Sequence, residues 1–161
     1  MLVVNKIAQG ARFAGVVAVM MFLAACAQTK PDLASGTAAP GTGQDFVVNV
    51  GDRVFFLEDQ STLTAQARAT LDKQAQWLNR YSSYTVTVEG HADERGTRQY
   101  NLALGARRAN AARDYLVANG VPAARIKTIS YGKERPVAVC NNDSCWSQNR
   151  RAVTVLNNAT N

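Results

Sequence analysis

The chain predicts an α+β sandwich in which two helices pack on one face of a mixed sheet, in the order β-α-β-α-β-β. Three observations carry that expectation. Short apolar runs of β-branched and aromatic character alternate with two longer stretches whose apolar residues recur every three or four positions. Beyond the second such stretch come two further strand-like segments, joined by a loop. The 161 residues, 47% of them hydrophobic, suffice for one ordinary core and not for two.

Residues 1–25 precede that core. Lys6 and Arg12 lead into an apolar run from Phe13 to Ala25, interrupted only by Gly15. A spanning helix needs about 20 apolar residues, so this shorter run reads as an export signal. From Ala27 to Gln44 the chain is rich in Ala, Gly, Thr and Pro, with Lys30 and Asp32 as its charges. That is the composition of a flexible linker, with a root-mean-square reach of roughly 20 to 25 Å and a stretched limit of about 60 Å. The folded domain is expected over residues 45–161.

Within it, Phe46, Val48 and Val50, then Val54, Phe55 and Phe56, read as one strand or two short ones around Gly51 and Asp52. Between Thr64 and Tyr81 the period changes, with Ala67, Leu71, Ala75 and Leu78 on one face and Arg68, Lys73, Gln76 and Arg80 on the other. This is an amphipathic helix. Tyr84 to Gly90 alternates as a half-buried strand does, Tyr84, Val86 and Val88 to one side and Thr85, Thr87 and Glu89 to the other. Gly96 then breaks the chain, Thr97 caps a helix to about Asn119 with Leu102, Ala109, Ala112 and Leu116 as its stripe, and Gly120 closes it. A strand from Arg125 to Tyr131 contributes Ile126 and Ile129 to the core, and one from Ala152 to Leu156 contributes Val153 and Val155. The intervening Cys140 to Arg150 reads as a loop, on which Trp146 packs.

The cysteine spacing bears on that loop. Cys140 and Cys145 enclose four residues, which in an exported chain suggests a disulfide. Two free thiols or a metal pair are the alternatives. The metal reading fails for want of ligands, the single histidine, His91, lying far upstream.

Charge narrows the partners. The formal net charge of +6 falls by two when Lys6 and Arg12 leave with the signal. The remaining arginines are scattered without aromatic interleaving, so nucleic acid is not expected, and an anionic wall polymer or membrane surface is.

The stretch from His91 to Arg108 holds the chemistry. An acid-rich turn precedes a double arginine on a helix, and Asn101, Leu104 and Arg108, at i, i+3 and i+7, share one helix face that can point back to Asp93. A carboxylate and a guanidinium brought together there would hold a zwitterion, and the plainer alternative is that Asp93 and Arg108 pair with each other. Arg107 points about 100 degrees away and is expected to be solvated or structural. Glu94 and Arg95 read as a local surface pair. One histidine beside two acids is a poor zinc set, so neither metal nor cofactor nor catalysis is expected, and His91 is assigned to backbone hydrogen bonds that fix the turn.

The residues also resemble a known family. TVTVEG followed by HADERGT, then Asn101, Leu104, Gly105, Arg107, Arg108 and Ala109, with SYGKERP and NRRAV downstream, are similar to the wall-binding segment of OmpA-like domains, and within them to the peptidoglycan-associated lipoproteins. The resemblance spans about Asp52 to Leu156 and implies the same α+β fold. It implies a non-enzymatic tether that grips the diaminopimelate of peptidoglycan stem peptides through Asp93 and Arg108, with Asn101, Leu104, Phe56 and Asp59 around them. Related domains end the first strand with an acidic residue and an aromatic or small one before a final aspartate, where this chain reads Phe55-Phe56-Leu57-Glu58-Asp59; Leu57 and Glu58 alter that wall, and Asp59 is expected to cap the following helix. Leu23 to Cys26 resembles a lipoprotein processing site, so Cys26 would be lipidated; the alternative is an uncleaved anchor. Ala27, where an inner-membrane retention signal would be aspartate, implies an outer-membrane anchor with the domain in the periplasm. TolB and the Tol machinery of cell division are the implied partners, their surface overlapping that of the wall. The rival functions are a lipoprotein that binds only protein and a wall-modifying enzyme, for which no nucleophile and base are visible near Asp93.

Overall fold

The computed structural model describes residues 38–157. The export signal, Cys26 and most of the linker lie outside them. A four-stranded mixed sheet is built from β1 (Arg53–Phe55), β2 (Thr85–His91), β3 (Ile126–Gly132) and β4 (Arg151–Asn157), in the spatial order β1-β4-β2-β3. The β4 strand pairs antiparallel with both β1 and β2, while β2 and β3 run parallel. Helix α1 (Ala65–Arg80) joins β1 to β2, and α2 (Arg98–Ala118) makes the crossover from β2 to β3. The expected order of the four strands and two long helices holds, with short helical segments added. The segment read as a loop contains a third helix, α3 (Asp143–Asn149), capped by Asn142 and closed against the preceding turn by the Cys140–Cys145 disulfide.

Period decides the helices, and capping decides where they begin. Thr64 and Thr97 sit in extended backbone and accept from the amides of Ala67 and Tyr100, satisfying N–H groups that each first turn would leave bare. Gly120, at φ +91°, supplies the left-handed residue just past α2. Leu71, Leu78, Ala109, Ala112 and Leu116 meet Val54, Val86, Val88 and Ala152 of the sheet in one buried cluster. Arg125 fastens the end of α1 to this layer, donating to the carbonyls of Tyr84, Leu78 and Tyr81.

One element and several side-chain assignments are corrected. Phe46–Val50 is not strand but a π-helical turn continuing Gly43–Asp45, because Thr42 caps it, Asp45 binds Asn49 and the Trp77 indole, and buried Phe46 stacks on Trp77 at 4.9 Å. Tertiary packing outweighs the β propensity of its valines. Leu102 is exposed and lies off the α2 stripe. In β4, Ala152 and Thr154 face the helices, while Val153 and Val155 take the opposite face; Thr154 is held there by Gln74. Ile129 of β3 is exposed on that same open face.

Described residues ahead of Asp45 bond to the domain. The Gly41 carbonyl accepts from the Tyr84 hydroxyl, and the Gly41 amide donates to Asp45.

Candidate binding site

The site forms where the β1–α1 connection, the β2–α2 turn and α3 meet at one end of the sheet. Its geometry begins with a close approach. Gly90 of β2 and Gly105 of α2 touch backbone to backbone, so that a Cβ on Gly90 would overlap the Gly105 carbonyl. This lowers α2 onto the strand. One turn later Arg108 enters the interior at 0% exposure, donating from Nε to the Gln60 carbonyl at 2.8 Å, from Nη1 to His91 at 2.9 Å and from Nη2 to Leu57 at 3.1 Å. The guanidinium lies 5.3 Å from the centre of the buried Phe56 ring. Burial lowers its pKa to about 10, against the opposing pull of Asp93, so it remains a cation at neutral pH.

Asp93 closes the turn. Its Oδ1 accepts from the Arg95 amide and Nε, both at 3.2 Å, and the amide bond two residues on is an Asx turn. Its Oδ2 accepts from Arg95 Nη2 at 2.8 Å and Arg150 Nη1 at 3.4 Å. Burial alone would raise this carboxyl, but the bonds from Arg95 and then Arg150 prevail and hold it below the usual carboxylate range. Arg150, itself 6% exposed, is wedged between Asp93, Asp143 at 3.0 Å and the Phe56 carbonyl at 3.2 Å.

A cavity of about 250 Å³ opens over Asp93. Asp93, Asn101, Leu104 and Asp59 line it, as do Glu58, Arg95, Gly96 and Tyr100. Phe56 and Arg108 do not line it and lie buried nearby instead. The pairing of Asp93 with Arg108 is not what the structure holds, since Arg95 and Arg150 take the carboxylate and carbonyls take the guanidinium.

The neighbours differ from expectation in three further ways. Arg95 is paired not with Glu94 but with Asp93 and, at 2.7 Å, with Glu58; its guanidinium also stacks 4.1 Å from the Trp146 ring centre. Glu94 instead accepts from the Trp146 indole at 3.0 Å, which ties α3 to the turn. Asp59 does not cap α1, a role Thr64 fills, but adopts a left-handed conformation and accepts from the Tyr100 hydroxyl. His91 holds the turn through its carbonyl rather than its ring, whose nitrogens are buried without hydrogen-bond partners. Arg107 is exposed beside the Tyr100 ring, as its helical phase requires.

Arg95, Arg150 and Trp146 are the participants that sequence reasoning missed. The Asx turn was a local signal for Arg95, because an aspartate two residues ahead of an arginine and three ahead of a left-handed glycine is a turn pattern. Nothing local pointed to Arg150, which is 57 residues from Asp93 in sequence.

Among the described residues, no group of three or more His, Cys, Asp or Glu side chains is placed to hold a metal ion. What the arrangement offers is a concave, charged pocket in which a carboxylate and guanidinium groups stand ready-paired. It defines a binding module of the α+β class.

The sequence profile of the OmpA family matches residues 55–151, which contain the whole site. A peptidoglycan-associated lipoprotein of Rhizobium meliloti (strain 1021) is 68% identical over 127 residues, covering 79% of this chain and 72% of that one. One from Mesorhizobium japonicum is 62% identical over 148 residues, covering 87% of this chain and 88% of that one. The crystal structure of the peptidoglycan-associated lipoprotein from Burkholderia pseudomallei superposes with a TM-score of 0.67 at 37% identity, covering 71% of this chain and 98% of that one. The chain belongs to the OmpA family and, within it, to the peptidoglycan-associated lipoproteins.

Proposed function

We propose that this chain is a lipoprotein, anchored in the outer membrane through Cys26, whose periplasmic domain binds diaminopimelate-containing peptidoglycan without covalent chemistry and so ties the outer membrane to the wall. The observation that carries this is the Asp93 pocket itself, a small cavity with a buried carboxylate at its base that is held by Arg95 at the cavity wall and by Arg150 behind it. The free end of diaminopimelate bears an ammonium and a carboxylate on one carbon. Asp93 suits the ammonium. The carboxylate is drawn by Arg95, the cation that lines the cavity, while Arg108 lies buried behind it, bonded to carbonyls. Asn101 and Leu104 supply a polar and an apolar wall. The family membership supports the reading, as do the lipoprotein names of the relatives. It extends to TolB and the Tol complex as partners in envelope constriction.

Sedimentation with purified sacculi, all other proteins removed, tests it. The chain is expected to pellet with diaminopimelate sacculi and to remain in solution with lysine-type sacculi. Failure to pellet with either would favour a lipoprotein that binds only protein.

A further inference from the structure

Asp93 has no acceptor capacity to spare. A carboxylate offers about four lone-pair sites, and Arg95 fills three with its amide, Nε and Nη2 while Arg150 fills the fourth. A ligand ammonium therefore reaches this oxygen pair only by displacing one of the arginines. Arg150 is buried and held from two other directions. Arg95 has a side chain 34% exposed, lines the cavity, and already has other partners in Glu58 and the Trp146 ring.

We infer that Arg95 is the specificity-determining residue of the pocket: the ligand ammonium takes its place on Asp93, and the displaced guanidinium, still against Trp146, takes the ligand carboxylate. The inference rests on the proposed wall-binding reading and adds a mechanism of selection to it. Ion pairs are exchanged rather than lost. Before binding, Arg95 faces Asp93 and Glu58; afterwards it faces the ligand carboxylate and Glu58, and Asp93 faces the ammonium. A ligand with an ammonium alone, such as a lysine side chain, evicts Arg95 from Asp93 and gives it no acid in return. Selection thus comes from the penalty on the wrong ligand as much as from contacts to the right one. Trp146 acts as the surface along which the guanidinium moves, and its indole is fixed by Glu94. Glu58 competes with the ligand carboxylate for the same guanidinium.

Calorimetric titration of the full chain in detergent micelles, with a diaminopimelate stem peptide and its lysine counterpart, tests the exchange. Wild type is expected to prefer the diaminopimelate peptide by about tenfold or more, the scale of one charge-assisted contact. Arg95→Gln should weaken the diaminopimelate peptide about tenfold, leave the lysine peptide unchanged or tighter, and so abolish the preference. Arg95→Lys, which keeps the charge and loses the fork, should fall between them, and Glu58→Gln should tighten the diaminopimelate peptide. Circular dichroism confirms the fold of each variant. An Arg95→Gln protein that keeps the full preference overturns the exchange and leaves the wall reading standing, whereas a folded wild type that binds neither peptide overturns both.

Discussion

Arg108 shows how one side chain can join distant segments without touching solvent. Its guanidinium links the carbonyls of Leu57 and Gln60 to that of His91, joining the β1–α1 connection to the end of β2. Arg108→Ala would leave those carbonyls unpaired beside a cavity, and is expected to destabilise the fold by about 3 kcal/mol or more, measured by urea denaturation. Loss of binding in that variant must therefore be read beside its stability. A second expectation concerns pH. Burial first, then the charges of Arg151 and Arg135, lowers the His91 pKa to about 4, although Glu89 lies 3.6 Å from the ring and Tyr131 stacks on it. The ring is neutral in the folded state at a pH where the unfolded chain, with an ordinary value near 6.5, has taken up a proton. Stability is thus fullest above about pH 6.5 and falls as pH drops toward about 4, by on the order of 3 kcal/mol. His91→Phe, which preserves the ring, should flatten this slope in urea denaturation at pH 7 and pH 5, and an unaltered slope would assign it to another group. The sequence made Asp93 and Arg108 conspicuous because local spacing puts them on facing elements. It concealed their true partners, because hydrogen bonds to carbonyls and to Arg150 are made across the fold.

At the scale of elements, the contact that sets the site is that of β2 with α2. Gly90 and Gly105 allow the helix to settle against the strand, and Ser130 and Gly132 of β3 crowd α2 in the same way from the next strand. Gly90→Ala must push α2 outward against backbone, and overpacking of this kind costs about 1 to 3 kcal/mol, occasionally more. The melting temperature should drop, with Arg108 drawn away from the His91 carbonyl, whereas an unchanged melting temperature would show the approach to be slack. Helix periods and capping threonines were readable because they depend on neighbours within four positions. The inward face of β4 was not. Val153 and Val155 have the more apolar side chains, yet register with β1 and β2 turns Ala152 and Thr154 inward, and Gln74 of α1 satisfies the buried threonine. Likewise α3 is two turns long, carries little apolar pattern, and depends on Asn142, the disulfide and Trp146 for its place.

For the whole molecule, the strand order β1-β4-β2-β3 lets segments far apart in the chain converge at one end of the sheet. Leu57 to Gln60, Asp93 to Gly96 and Asp143 to Arg150 meet there around a single carboxylate, and each contributes a group to it or to its arginines. The α+β class followed from alternating periods, but this convergence did not, since no local pattern encodes which loops become neighbours. In the proposed reading the wall ligand is gripped at Asp93. Calorimetric titration of a diaminopimelate stem peptide into wild type and Asp93→Asn, a near-isosteric change that removes the charge and turns one acceptor oxygen into an NH2 donor, tests it most directly. The account requires binding by wild type and a loss of about tenfold or more in the folded variant, as expected for losing one charge-assisted pair. Equal binding by the two folded proteins would contradict it and place the ligand elsewhere on the domain.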